Sequence, residues 1–197
     1  QHHEFNYVRE IDYGSAACLL VRADLFAELG GFDERFRPMY YEDTDLCFAL
    51  RDKGYRVMFE PRSNVVHHEG ASAGTDLSSG AKRYQELNRP KFVEKWKAQL
   101  ERDHMRNAPA NVRRACNRHR GPHALVIDHR VPTPDQDSGS LRMMRLIEAL
   151  IELGCRVTFV PDNLGRLEPY TSDLQALGVH VLYGATSIEQ EIALLGP

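Results

Sequence analysis

At 197 residues, 42% of them hydrophobic, the chain is long enough for one large or two small domains with buried cores. A net charge of −3 and a pI of about 6.3 leave no global basic footprint for nucleic acid or an anionic membrane, and no apolar run reaches the length of a membrane-spanning helix. Four cysteines, Cys18, Cys47, Cys116 and Cys155, form no C-x-x-C unit, which excludes a zinc knuckle and a dense disulfide scaffold and fits small buried hydrophobes in a reducing cytoplasm.

The N-terminus, Gln1-His2-His3-Glu4-Phe5, has neither an initiator Met nor a signal-peptide pattern, so the chain is expected to begin inside a longer protein. Gly14 to Arg22 is a continuous apolar run, expected as a buried strand, with a short helix from Ala23 to Leu29 ended by Gly30-Gly31. A loop through Phe32 and Pro38 leads to an acid-rich helix from Asp43 to Gly54. Strands are expected at Tyr55–Glu60, closed by Pro61, and at Asn64–His67. After a Gly/Ser/Ala loop (Gly70 to Gly80), a long amphipathic helix from about Ser79 to Leu100 should kink or split at Pro90. Arginines 102, 106, 113, 114, 118 and 120 then accumulate without apolar periodicity; a solvated interdomain tether is expected, with a phosphate- or lipid-contacting arm as the alternative.

Beyond this linker the pattern is strand His123–Asp128, helix Ser140–Leu153, strand Arg156–Val160, helix Pro169–Leu177, strand Val179–Tyr183 and helix Ser187–Leu195, with Gly154 and Gly178 as stops. Such alternation implies a parallel sheet with crossover helices. The loop Asp137 to Ser140 opens a helix N-terminus and is expected equally as an anion or hydroxyl site and as a helix cap formed by Ser138 or Ser140. A nicotinamide-dependent enzyme is one rival function, with Asp162 after the second strand; only Gly139 stands where the dinucleotide fingerprint needs three glycines.

The acid-rich helix is the most informative stretch. At 3.6 residues per turn Asp43 shares an azimuth with Leu46, Cys47 and Leu50, so it points inward from a helix N-terminus, while Asp45 and Asp52 are expected on the solvent side. A plain capping cluster is the structural alternative. Downstream, His67 ends a strand, where an imidazole could ligate a divalent ion or merely hydrogen-bond.

Gly14-Ser15, Gly30-Gly31-Phe32-Asp33-Glu34, Tyr41-Glu42-Asp43-Thr44-Asp45-Leu46, Gly54-Tyr55-Arg56-Val57 and Val66-His67-His68-Glu69-Gly70, in that order, resemble the C-terminal half of a family-2 glycosyltransferase of GT-A fold, over roughly residues 5 to 100. The resemblance implies inverting transfer from a nucleoside-diphosphate sugar, with Asp43 as catalytic base, His67 as a metal ligand, and Glu42, Gly14 and Ser15 beside the acceptor and sugar pocket. The family's N-terminal half, with its Asp-x-Asp metal motif, has no counterpart here. Asp43-Thr44-Asp45 has that spacing on diverging helix faces, which should not share an ion. Leu125-Val126-Ile127-Asp128, Asp137-Ser138-Gly139-Ser140, Arg142-Met143, Val157-Thr158-Phe159 and Leu177-Gly178-Val179 resemble the opening of a family-4-type glycosyltransferase of GT-B fold.

The expected fold class is therefore α/β: residues 1–103 as a partial GT-A (nucleotide-diphospho-sugar transferase-like) half domain, 104–121 as a basic linker, and 122–197 as a partial Rossmann-like GT-B half domain. The expected function is sugar transfer to a glycan or glycoconjugate acceptor in surface polysaccharide assembly, with Mn or Mg in the complete enzyme and no activity in this stretch alone. Nucleic acid is not an expected partner; the expected setting is cytoplasmic, at or near the inner face of the cell membrane. A noncatalytic scaffolding fragment is the second rival.

Overall fold

Residues 3–68, 80–117, 121–184 and 187 are described by the computed structural model, and the chain divides into two units. One comprises Glu10–Phe59 and Ser63–Arg106, the other Gln1–Arg9, Glu60–Arg62 and Asn107–Pro197. The break thus falls after Arg106, three residues beyond the expected 103. The N-terminal arm also goes with the second unit: Val8 N–H donates to the Gln175 carbonyl at 2.9 Å, and His3 stacks on His180.

β1 (Arg9–Glu10) pairs with β2 (Met58–Phe59), and among the described residues of the first unit four α-helices follow the chain: α1 (Ala23–Glu28), α2 (Glu42–Asp52), α3 (Arg83–Lys95) and α4 (Lys97–Asp103). The stop of α2 is the one expected: Gly54, at φ 85°, lets its N–H reach the Arg51 carbonyl and the Tyr55 N–H reach that of Leu50. Two apolar clusters flank α2. Leu46 and Leu50 pack with Leu25, whereas Phe48 packs with Phe36 and Phe92, with Trp96 and Leu100 against them. Each of these large side chains contributes about 1.5–3 kcal/mol by leaving water.

That two-sided burial corrects the helical-phase argument. Asp45 is 3% exposed, not solvated, because the side of α2 that carries Asp45 and Phe48 is itself covered. Only Asp52 faces solvent as expected. Asp43 and Asp45 do diverge, each to its own set of partners.

Four other expectations fail locally. Gly14–Arg22 is not a buried strand: Ala16–Cys18 is a 3-10 turn capped by Ser15, Leu20 is 99% exposed, and no strand pairs this run among the described residues. An apolar run becomes a strand only where a neighbour satisfies its backbone. For the same reason Asn64–His67 is irregular and exposed, and Tyr55–Glu60 shrinks to Met58–Phe59. The long helix breaks at Trp96 (φ −105°, ψ 15°) rather than at Pro90, which lies inside α3. At Trp96 the indole N–H is committed to Asp45, so a tertiary bond and not the proline sets the break.

The second unit holds α5 (Val112–Asn117), a short helix within the expected linker, then β3 (His123–Asp128), α6 (Ser138–Glu152), β4 (Arg156–Pro161), α7 (Tyr170–Ala176) and β5 (His180–Val181). The strands form a parallel sheet of order β3-β4-β5, with Val126 opposite Phe159 and Phe159 opposite Val181. Ile147 of α6 and Leu174 of α7 are fully buried against this sheet. This is the α/β alternation the sequence implied; the helix 187–195 and the loop 70–79 lie outside the described residues apart from Ser187. Among the described residues no helix is long and apolar enough to cross a membrane.

Candidate active site

The first turn of α2 is built on unusual backbone. Tyr40 and Tyr41, at φ 71° and 75°, are both left-handed, a region that disfavours bulky L-residues. Two such residues in succession turn the chain sharply into α2, and Tyr41 takes the N-cap position without a side-chain cap bond. Strain of this kind persists only where surrounding structure holds it, and it concentrates at functional sites.

Immediately after that turn, Asp43 is half-buried. Its Oδ1 accepts the Thr44 N–H at 2.7 Å and the Thr44 hydroxyl at 3.2 Å, while Oδ2 accepts the Ala16 N–H at 3.0 Å. A carboxylate oxygen has two acceptor directions, so Oδ1 is filled and Oδ2 keeps one for a proton from outside. The Gly14-Ser15 turn is held alongside: Gly14 N–H points to Cys47 Sγ at 3.5 Å, and Ser15 Oγ caps the turn by accepting from Ala17 N–H. The structure therefore brings Gly14, Ser15 and Asp43 together.

Asp43 opens onto a cavity of about 370 Å³ lined by Asp12, Tyr13, Tyr40, Tyr41, Thr44, Phe48, Gln85, Phe92, Leu100 and His104 as well. That volume lies in the range of small-molecule sites. Its walls combine apolar rings with a few polar groups. His104 stacks on Phe48 with ring centroids 5.3 Å apart, and Tyr41 lies 5.2 Å from Phe92. Among the described residues, two carboxylates and no lysine or arginine line it. Such walls suit an uncharged polyhydroxylated ring, which offers apolar faces to aromatics and hydroxyls to carboxylates, and suit a diphosphate poorly.

Glu42 sits just behind Asp43. Its Oε2 is buried without a hydrogen-bond partner among the described residues, and burial, with the neighbouring Asp43 charge adding to it, holds its carboxyl above the ordinary glutamate range. It does not line the cavity. His67 is exposed in an irregular segment, and among the described residues no group of three or more His, Cys, Asp or Glu is arranged to hold a metal ion. The residues described do not by themselves build a metal site.

In the second unit the loop before α6 is capped by Asp137 and not by Ser138 or Ser140, Ser140 being the donor to the cap. Asp137 Oδ1 accepts Ser140 N–H at 2.7 Å and Oδ2 accepts the Ser140 hydroxyl at 2.6 Å, placing a carboxylate where an anion would otherwise sit. With this and one glycine, a dinucleotide pyrophosphate has no cradle there.

Tyr13, Phe92, Leu100 and His104 carry no local motif. They reach the cavity through packing of α3 and α4 on α2, which a sequence signal at α2 alone does not disclose. Tyr41, one residue before Glu42-Asp43, lies within the acidic motif, whose pattern says nothing of its place in the cavity wall.

Comparison with known proteins gives partial similarity to glycosyltransferases. Over 71 residues, 36% of this chain and 23% of the relative, the identity is 42% to an N-acetylglucosaminyl-diphospho-decaprenol L-rhamnosyltransferase of Mycobacterium tuberculosis. An O-antigen biosynthesis protein of Myxococcus xanthus is 39% identical over 62 residues, covering 32% of this chain and 5% of that protein. A rhamnosyltransferase of Escherichia coli is 34% identical over 58 residues, 29% of this chain and 22% of that enzyme. The chain thus matches less than a quarter of the length of these curated relatives. No family model matches it. No solved structure matches it. The partial matches relate the chain to glycosyltransferases in general.

Proposed function

We propose that this chain is part of an inverting glycosyltransferase and that its first unit binds the acceptor, with Asp43 as the general base. The observation that carries this is the open acceptor direction on Asp43 Oδ2, beside an uncharged-ring cavity. As an acceptor hydroxyl attacks the anomeric carbon, its proton passes to Oδ2, the new glycosidic C–O bond forms, the C–O bond to the diphosphate breaks and the nucleoside diphosphate leaves. Thr44 and the Ala16 N–H fix the carboxylate in place during that step. Glu42 and the Gly14-Ser15 turn stand behind Asp43 rather than in the cavity wall, and in this reading they reach the acceptor side through that carboxylate.

The names of the relatives make a deoxyhexose such as rhamnose the first sugar to test, with a glycan or lipid-linked glycoconjugate as acceptor at the inner face of the cell membrane. A divalent ion, Mn or Mg, belongs to the complete enzyme in this reading; His67 is the ligand the first unit would offer, and the ion would neutralise the departing diphosphate. The GT-A half, linker and GT-B half are the arrangement expected of the whole.

Asp43→Asn in the longer parent polypeptide, assayed for transfer from nucleotide sugars, should lower kcat by about 10²–10⁴-fold, the usual share of a general base. Unchanged transfer would remove Asp43 from the chemistry and favour the scaffolding alternative. By itself, the 197-residue chain should show no submicromolar binding to UDP-, GDP- or dTDP-sugars with Mn by calorimetry; such binding would overturn the assignment of donor recognition to residues beyond these.

A further inference from the structure

One buried polar side chain outside the cavity is bonded to the turn that carries Tyr40 at its rim. Asn88, on α3, is completely buried, and its Nδ2 donates to three carbonyls of a single loop: Phe36 at 2.8 Å, Met39 at 2.9 Å and Tyr40 at 3.1 Å. Its amide has one sensible orientation. Oδ1 accepts from Lys91 Nζ at 2.8 Å, and a flipped amide would aim oxygen at three carbonyls and an NH₂ at an ammonium. Lys91 also donates to the Arg35 carbonyl at 3.0 Å, and Lys95 Nζ lies 2.8 Å from Asp33 Oδ2. Residues 88, 91 and 95 share one face of α3, so the helix presents a polar stripe that grips the loop from Asp33 to Tyr40.

We propose that Asn88 is a positioning residue: by holding the carbonyls on both sides of Met39 it keeps Tyr40 and Tyr41 left-handed, and so sets where their rings and the Asp43 carboxylate stand around the cavity. Two left-handed tyrosines need an external restraint, and Asn88 bonds the Tyr40 carbonyl itself. Loss of the restraint lets the turn relax toward ordinary backbone, which moves the cavity rim without emptying the core.

The clamp is tested by stability alone, independent of function. Glycine adopts the left-handed region without strain, so Tyr40→Gly should be stabilising relative to its effect in Asn88→Ala, where the strain has already been released. In a double-mutant cycle followed by the emission of Trp96, the single tryptophan, the effect of Tyr40→Gly on the unfolding constant should differ at least threefold between the two backgrounds. Additive effects would overturn the clamp.

The ligand arm rests on the cavity being an acceptor-sugar site. Binding of a panel of methyl pyranosides to the chain, followed by saturation-transfer NMR, should weaken at least fivefold in Asn88→Ala at unchanged folded fraction. Should that variant fail to fold, Lys91→Met, which removes the exposed ammonium bonded to the Asn88 amide and to the Arg35 carbonyl of the same loop, should weaken binding at least twofold. Unchanged affinity in the variant that folds would overturn the positioning role. A wild-type chain that binds no pyranoside would refute the reading of the cavity, leaving the stability cycle to decide the clamp.

Discussion

Asp45→Ala tests whether α2 is anchored on its second face. Asp45 accepts Trp96 Nε1–H at 2.7 Å, and Lys95 Nζ lies 2.7 Å from Oδ1 and 2.8 Å from Oδ2. Removing one member of a buried, hydrogen-bonded ion pair costs about 3–5 kcal/mol, because the remaining charge stays desolvated. Lys95 keeps Asp33 at 2.8 Å and a side chain 24% exposed, which moves the cost to the lower end, about 3 kcal/mol. Asp45→Asn keeps an acceptor for the indole and loses only the charge, so it should cost about 1–2 kcal/mol. Urea unfolding read by Trp96 emission is the assay. With a slope of about 1–3 kcal/mol per molar, the Ala midpoint should fall by about 1–3 M, with the Asn variant between it and wild type. A loss below about 1 kcal/mol in Asp45→Ala would refute the argument and return Asp45 to the solvent side.

Two pH predictions follow from opposite shifts. Burial, then the Arg156 charge, pushes His123 down to about 4 from 6.5. The folded unit therefore binds fewer protons, and this stability is present above pH 6.5 and lost as pH falls toward 4, by on the order of 2 kcal/mol after allowing for partial exposure. Protection factors of β4 amides, taken relative to intrinsic exchange at each pH, should fall over that window in wild type and not in His123→Gln; identical protection profiles would contradict it. Glu42 is shifted up, chiefly by burial. Its contribution is present below the ordinary glutamate range and lost as pH rises through its raised value, so Glu42→Gln should gain stability over wild type between mildly acid and neutral pH. Parallel denaturation curves against pH would show that Glu42 is solvated.

What was legible in the sequence was local. Gly54 and Gly154 marked the ends of α2 and α6 because glycine is the residue a left-handed helix terminus requires, and the alternation from His123 to Val181 announced a parallel sheet because each element carries its own apolar period. Asp43 stood out for the same reason, as an acid at a helix start. The opposite error at Asp45 came from assuming one buried face. A helix packed between Leu25 on one side and Phe36 with Phe92 on the other buries two faces, and a period of 3.6 cannot report the second.

The devices that shape the cavity are non-local. Asn88 lies 48 residues from Tyr40, and Trp96 lies 51 from Asp45. Nothing in the run from Arg83 to Lys95 distinguishes Asn88, since an asparagine inside a helix is commonly a solvated neutral choice. Its meaning comes from what faces it: three carbonyls of one loop that take their bonds from its amide, next to a backbone that needs holding. The proposed base and the residues that fix it therefore come from separate parts of the chain. A substitution in α3, far from Asp43 in sequence, should act on the site as directly as one in the acidic motif.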